Sequence, residues 1–274
     1  MWVPLVSVIL PFYNWKQERL EKAIDSVYVQ TWDNFEFIII NDGSTDGVEQ
    51  VIEKYVWKYN NIVYVKNNKN LWLITSLNIW IDKSNWKYIA RIDADDFWIS
   101  RDKLEKQVEF MEKNSDYWLC WAGEIVHVDE NDGVLFTEFK NRLTDEQIRN
   151  HFLQQNQIIH SGVLLRKEAL ENVWNYDLRF ALVEDYELWL RIGTKYKLAN
   201  LESVSIAYRI NYYNGVSLKN LQKQKNIAFK IFWLYRHKYP NFMNAFILRC
   251  GAYVLPKKIR KFIWRKLNPH LAVK

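Results

Sequence analysis

Glycine is scarce in this chain: 8 in 274 residues, where an average usage of about 7% would place roughly 19. A collagen-like architecture is thereby excluded. Cysteine is nearly absent too, and Cys120 and Cys250 can neither build a disulfide framework nor supply a metal site by their spacing. No long apolar run exists: Arg249 interrupts the stretch from Phe246 to Leu255, well short of the ~18 residues a membrane span needs. The first residues run directly into a strand-like segment without the shape of a secretory leader. A reducing, cytoplasmic setting is expected. Tryptophan, by contrast, is abundant at 14 residues, while a hydrophobic fraction of 49% and a charged fraction of 26% are those of an ordinary globular chain. Disordered and coiled-coil readings therefore drop out, and the length suits one large domain or two small ones.

The net charge of +6 is unevenly placed. Residues 256–274 hold Lys257, Lys258, Arg260, Lys261, Arg265, Lys266 and Lys274 and no acid, so the rest of the chain is close to neutral. Ile259, Phe262, Ile263 and Leu267 are spaced for one apolar face of a helix in that tail. A basic amphipathic helix reads as a membrane-surface element; equally, it reads as a terminal helix packed on the domain with a solvated basic face. No nucleic-acid partner is expected, because the basic charge is confined to the tail and no recognition motif accompanies it.

The first half alternates strand and helix patterns. Val6–Leu10, Phe35–Ile40, Ile62–Lys66 and Tyr88–Ile92 read as strands; Arg19–Gln30, Val48–Tyr59 and Leu73–Asp82 read as helices. Four strands with three helical crossovers imply a mostly parallel sheet covered on both faces, with ligands outside the carboxyl ends of the strands. A mixed region follows: helix Lys103–Asn114, strand Leu119–Val128, helix Asp145–Gln154, strand Gly162–Arg166, helix Asp185–Gly193 and strand Val204–Ile210. From Ser217 the chain reads as helices. The expected organisation is an α/β domain over 1–215 and a helical, basic extension over 216–274.

Polar clusters fall at the predicted strand ends. Asp93, Asp95 and Asp96 follow the fourth strand, where short carboxylates on rigid backbone can hold a hard divalent cation and its phosphate ligands. An isolated D-x-D more often merely caps a turn; three aspartates in four residues favour the cation. Asp42 ends the second strand beside Gly43, Ser44, Thr45 and Asp46, and its carboxylate can accept the N–H of a pyrimidine ring or simply serve a good turn. Tyr13 can stack on a base or pack. Glu184 and Asp185 open a helix, where the partial positive charge favours ionised carboxylates; one can act as general base, though an N-cap pair is the commoner use. His160 and Ser161 do not make a hydrolase pair, since no G-x-S-x-G accompanies them; His160 reads as lining a site or packing.

Together, Val6–Asn14 (VSVILPFYN), the Gln30-Thr31 helix end, residues 35–46 (FEFIIINDGSTD), residues 88–96 (YIARIDADD), Leu104–Gln107 and residues 184–191 (EDYELWLR) resemble the family 2 glycosyltransferases over residues 5 to about 210. The resemblance implies the GT-A fold, a three-layer α/β sandwich with a Rossmann-like nucleotide half and a mixed acceptor half. It implies that Pro11, Tyr13, Asn14 and Asp42 hold the base and ribose of a nucleotide-diphospho-sugar, most simply a UDP-sugar. Asp93 and Asp95 correspond to the D-x-D that binds Mg²⁺ or Mn²⁺ and the diphosphate, with Asp95 the direct ligand. Asp185, paired with Glu184, corresponds to the base that deprotonates the acceptor hydroxyl. The implied reaction is one inverting displacement onto a glycan or lipid-linked acceptor in cell-surface polysaccharide synthesis, carried out in the cytoplasm, with the tail as the element that would touch the inner membrane face.

The chain departs from the family pattern at tryptophan. Where similar sequences read N-x-G-L, L-N-x-G, G-K-Y-I and G-x-Y-D, the glycines stand here as Trp72, Trp80, Trp86 and Trp174, and Trp121 and Trp15 look like further cases. The expectation is a codon read as glycine by the source organism, most simply a reassigned UGA, written here as Trp; divergence with genuine aromatic insertions is the other reading. Trp189 matches the family as Trp. Two other functions remain: a haloacid-dehalogenase-like phosphatase, which also uses Asp-x-Asp after a strand but after its first strand, and a nucleotide-sugar or glycan binder without turnover.

Overall fold

The computed structural model describes residues 5–84, 86–139, 142–210 and 220–254. The chain opens with β1 (Val6–Phe12), α1 (Gln17–Tyr28), β2 (Phe35–Asn41), α2 (Glu49–Lys58), β3 (Ile62–Lys66), α3 (Leu73–Lys83) and β4 (Tyr88–Arg91). It continues with β5 (Phe97–Trp98), α4 (Lys103–Lys113), β6 (Tyr117–Val128), β7 (Val134–Phe139), α5 (Asp145–Phe152), β8 (Leu164–Arg166), α6 (Lys167–Val173), α7 (Glu184–Gly193) and β9 (Lys197–Arg209). Two helices, α8 (Leu221–Leu234) and α9 (Phe242–Val254), close it.

One nine-stranded sheet runs in the order β3-β2-β1-β4-β8-β6-β9-β5, with β7 paired to β6. β3, β2, β1 and β4 are mutually parallel. Beyond β4 the pairing turns antiparallel at β8 and is mixed thereafter. β1 is buried at all 7 positions, which explains its unbroken apolar run: a central parallel strand is covered on both faces and has no polar side to show.

β1 does not stop at Pro11 but continues to Phe12, with Pro11 paired opposite Ile40 of β2. The Ile92 N–H bonds back to the carbonyl of Ile9, so odd-numbered residues of β1 face β4. β4 has ended at Arg91, opposite Ile9, and the N–H that Pro11 lacks would therefore have met no strand. Three elements were not legible in the sequence. β5 is two residues long, β7 is a largely exposed outer strand without alternation, and α6 spans seven residues. β9 begins seven residues earlier than the predicted Val204, because its first half also pairs with β6, set off from the second half by exposed Glu202 and Ser203 and a register shift.

The helical extension is fastened to the domain. The Tyr235 hydroxyl donates to Glu187 Oε1 at 2.7 Å, the Tyr239 hydroxyl to the Leu190 carbonyl at 2.6 Å, and Arg249 Nε to the Leu153 carbonyl at 2.8 Å. The proposed boundary near 215 and the basic tail 256–274 lie outside the described residues. Among the described residues no helix is long and apolar enough to cross a membrane.

The tryptophans divide sharply. Trp98 is buried with its indole N–H on the Ser161 carbonyl at 2.7 Å. Trp72, preceding α3, has φ 70° and ψ 145°, and Trp174, ending α6, has φ 77° and ψ 152°, a combination that is essentially glycine's alone. Their side chains are 77% and 82% exposed.

Candidate functional site

The carboxyl ends of β1, β2 and β4 converge on one edge of the sheet. Asp42, one residue past β2, is buried, and its Oδ1 accepts three donors: Asn67 Nδ2 at 2.7 Å, the Leu71 N–H at 3.0 Å and the Ser76 hydroxyl at 2.6 Å. These fix the carboxylate on the segment that leads into α3, and among the described residues Oδ2 has no hydrogen-bond partner. Asn14, at φ 48°, accepts the Thr45 N–H at 2.9 Å, while its own N–H donates to Ser44 Oγ at 2.9 Å. The turn after β1 is thus clamped to the turn after β2. Pro11 is buried in the strand below, and Tyr13 stands 44% exposed above it. Gly43 permits the crossing: a Cβ there would lie 2.5 Å from the Lys69 carbonyl carbon, and its φ is +78°.

Beyond β4 the three aspartates have different tasks. Asp93 Oδ1 pairs with buried Arg91 Nη2 at 2.6 Å, and Asp93 Oδ2 accepts the Ser161 hydroxyl at 3.1 Å. Burial pushes the Asp93 carboxyl up, but the Arg91 guanidinium and the Ser161 hydroxyl outweigh it and hold it below the usual range. Asp96 is buried between the Ser161 hydroxyl and the Arg209 N–H, the latter at 2.9 Å, and serves as an internal anchor of the turn. Among the described residues the Asp95 carboxylate accepts no side-chain hydrogen bond, only one from its own backbone; burial and then adjacent Asp93 push it up to about 6.

Glu184 and Asp185 begin α7 and face the same region. Asp185, Glu184, Asp93, His160, Asn156, Ile159, Leu73 and Tyr208 line a cavity of about 370 Å³. Burial, and then the Glu184 carboxylate, push Asp185 up to about 7. Glu184 is 8% exposed, its carboxyl is raised by burial, and its Oε2 is buried without a partner. His160 bonds the Tyr176 hydroxyl at 2.6 Å, and burial followed by Arg91 drives its imidazole down to about 3, so it is neutral. It both lines the site and packs.

The donor set fits a divalent cation held in part by substrate. Among the described residues no group of three or more His, Cys, Asp or Glu forms a ready-made cage. Asp95 offers a carboxylate that accepts no side-chain hydrogen bond among the described residues and is raised first by burial and then by the adjacent Asp93 charge, both of which a bound cation would offset. One or two carboxylates completed by phosphate oxygens and water is the manner in which Mg²⁺ is usually held. A larger cavity of about 910 Å³ lies between α3, α6, α7 and α8, with Trp174, Tyr176, Arg179 and Arg191 among its walls, and none of these site carboxylates lines it.

The sequence brought Tyr13, Asn14, Asp42, Asp93, Asp95, Glu184 and Asp185 forward, and the fold places them along one sheet edge. Arg91, Asn156, Ser161 and Arg209 were not singled out as supports. Arg91 sits inside the YIARIDADD run and was visible there; Asn156 lies in a loop whose course only tertiary packing decides.

Residues 7–174 match the sequence model of glycosyl transferase family 2. An uncharacterised glycosyltransferase of Methanocaldococcus jannaschii is 32% identical over 81% of this chain and 76% of its own length. A UDP-Glc:α-D-GlcNAc-diphosphoundecaprenol β-1,3-glucosyltransferase of Escherichia coli is 28% identical over 91% of this chain and 97% of its own. Among solved structures, a mannosyltransferase of Pyrobaculum calidifontis, in complex with GDP-mannose and Mn²⁺, superposes with a TM-score of 0.63 at 15% identity, covering 98% of this chain and 81% of that one. Residues 1–349 of TarS from S. aureus, in complex with UDP-GlcNAc, give 0.64 at 15% identity, covering 98% and 76%. The fold is thus the GT-A fold.

Proposed function

This chain belongs to glycosyltransferase family 2, and from that premise we propose that it is an inverting, cation-dependent enzyme that moves a sugar from a UDP-sugar to a hydroxyl of a glycan or lipid-linked acceptor. The observation that carries this reading is the shared cavity: Asp185, held near neutrality, and Asp93 line one space at the sheet edge where Asp42 and Tyr13 also stand. The name of the Escherichia coli relative, with its UDP-glucose donor and diphosphoundecaprenol-linked acceptor, supports the donor and the class of acceptor. It also supports a role in building surface polysaccharide.

In this reading Tyr13 stacks on the base, and Asp42 Oδ2 accepts a base N–H while Oδ1 stays tied to Asn67, Leu71 and Ser76. Asp95 would hold Mg²⁺ or Mn²⁺, which when bound would supply positive charge to offset that on the leaving diphosphate. Arg91 and Ser161 keep Asp93 ionised and fixed beside it. The acceptor oxygen bonds to the anomeric carbon as the carbon–phosphate-oxygen bond breaks, and the nucleoside diphosphate leaves with that electron pair. Asp185 takes the proton from the attacking hydroxyl. A base near pH 7 makes kcat/KM rise with pH and level off above about 7. A phosphatase would need a free aspartate nucleophile after the first strand; here the D-x-D follows β4, and Asp93 is bound on both oxygens.

The test is a panel of nucleotide sugars assayed for release of nucleoside diphosphate with and without Mn²⁺. Slow, cation-dependent release from one UDP-sugar is expected, with Tyr13→Ala raising the Kd for UDP about tenfold, the worth of one stacked base. Phosphate release from simple phosphomonoesters, or UDP-sugar binding with no turnover, would overturn the assignment.

A further inference from the structure

Among the described residues, Asn156 is the side chain that hydrogen-bonds the proposed base. Its Nδ2 lies 2.9 Å from Asp185 Oδ2, and its Oδ1 accepts the Ile158 N–H at 3.1 Å. The second bond settles which way the carboxamide points: Oδ1 is committed to a donor, so Nδ2 faces the carboxylate. The loop that carries it is braced. Gln157 is fully buried, its Nε2 donates to the Gln155 carbonyl at 3.0 Å, and its Oε1 accepts Arg142 Nη1 at 3.0 Å.

We propose that Asn156 is a positioning residue for glycosyl transfer, aiming the Asp185 carboxylate at the acceptor hydroxyl and favouring its ionised form. This rests on the reading of Asp185 as the base. An amide N–H can only donate, and a carboxylate accepts fully only when ionised, so the contact opposes the burial and the Glu184 charge that raise Asp185. The other ionisable groups near Asp185 are Asp93, beyond β4, and the hydroxyls of Tyr176 and Tyr208. His160 lines the same cavity. Among the described residues none of these neighbours donates a hydrogen bond to the carboxylate; Asn156 does so from outside α7.

The experiment is the pH profile of kcat/KM for Asn156→Ala, Asn156→Gln and Asp185→Asn beside the parent. Loss of the amide should move the acid limb of Asn156→Ala up by about one pH unit, with most activity regained above it and the KM for donor unchanged. Asn156→Gln, which restores an amide donor, should move the limb part of the way back. An unmoved limb, or a loss uniform across pH, overturns the role of Asn156 while Asp185→Asn stays inactive. An active Asp185→Asn overturns the assignment of the base itself.

A different observation carries a second inference. At residues 72 and 174 the backbone is used and the side chain is not. Trp72 donates its N–H to Asn70 Oδ1 at 2.8 Å, and its carbonyl accepts the Ser76 N–H at 3.1 Å. The Trp174 carbonyl accepts Arg191 Nη1 at 2.6 Å. Both are held at φ near +70°, where a Cβ is strained, while their indoles are largely exposed. Trp121 adds an interior case: its Nε1 is buried without a partner, and it fills the place beside Gly162 so closely that a Cβ there would lie 2.6 Å from it. An unpartnered indole alone does not sort the set, because Trp189 shares it; the backbone conformation does.

We infer that positions 72 and 174 are glycine in the protein as its source organism makes it, encoded by a reassigned UGA triplet. Reading the gene and the masses of peptides spanning 72 and 174 from protein purified from that organism decides it. UGA triplets and peptides lighter by the difference between Trp and Gly are expected. UGG at either position, or a peptide of the Trp mass, overturns it.

Discussion

Asp185→Asn is expected to lower transfer by about 10²- to 10⁴-fold, the range for loss of a positioned general base, while leaving the fold intact and more stable at neutral pH. The amide has nearly the shape of the carboxylate and can still accept from Asn156, so the cavity keeps its geometry. The stability effect follows from linkage. Asp185 is raised to about 7 in the folded chain, against about 4 when unfolded, so its ionised form is the one the fold disfavours. That penalty is absent below about pH 4, grows as pH rises, and is complete above about 7. Asparagine carries no such charge, and the Tm of Asp185→Asn should exceed that of the parent above pH 7 and match it near pH 4. A variant that is inactive and also less stable at pH 8 would place Asp185 among the structural residues rather than at the reaction.

The second large effect concerns the tryptophans. In a chain carrying Trp at both positions, the double change Trp72→Gly, Trp174→Gly should raise stability, against the rule that glycine weakens a fold. A non-glycine residue in this region of backbone space costs about 1–3 kcal/mol, and the added freedom of glycine in the unfolded chain returns roughly 0.5–1 of that per site. The net gain for the pair is on the order of 2 kcal/mol, or roughly 4–8 °C in Tm at 2–4 °C per kcal/mol. Alanine is the control: it removes the exposed indole but keeps the Cβ, and should recover much less. Trp98→Gly should do the opposite, since Trp98 is buried with its N–H on the Ser161 carbonyl; a loss of about 3–5 kcal/mol is expected there. If the double glycine variant loses stability as Trp98→Gly does, the strain at 72 and 174 is not real.

Much of the nucleotide half was legible because its signals are local. Central parallel strands must be apolar on both faces, so β1, β2 and β4 announce themselves as short runs. The aspartates follow directly, because this architecture puts ligands at strand ends. The later half was less legible. β5 and β7 have no pattern of their own, and the long β9 has its apolar pattern broken midway by exposed Glu202 and Ser203. Within the site, Asp42 and Asp185 could be named from their settings, but not what holds them. Ser76 reaches Asp42 across 34 residues, Asn156 reaches Asp185 across 29, and Ser161 reaches Asp93 across 68. Such contacts exist only once helix and loop are packed, and a lone Ser or Asn carries no mark of them.

The division of labour among the three aspartates is the clearest case. In sequence Asp93, Asp95 and Asp96 look alike. In the fold, Asp93 is neutralised by Arg91, Asp96 is sealed between Ser161 and the Arg209 backbone, and Asp95 is the one whose carboxylate takes no side-chain hydrogen bond among the described residues. Buried Arg91 and Ser161 made that difference, and only the packed fold shows which aspartate each one engages.

The central claim is a single displacement in which Asp185 deprotonates the attacking hydroxyl on the face of the sugar opposite the diphosphate. The anomeric configuration of the sugar first released from an α-linked UDP-sugar tests it without knowledge of the acceptor, because water then takes the acceptor's place. Following the anomeric proton by NMR before mutarotation, the account predicts that the β anomer appears first and that Asp185→Asn abolishes it. The α anomer appearing first would contradict it.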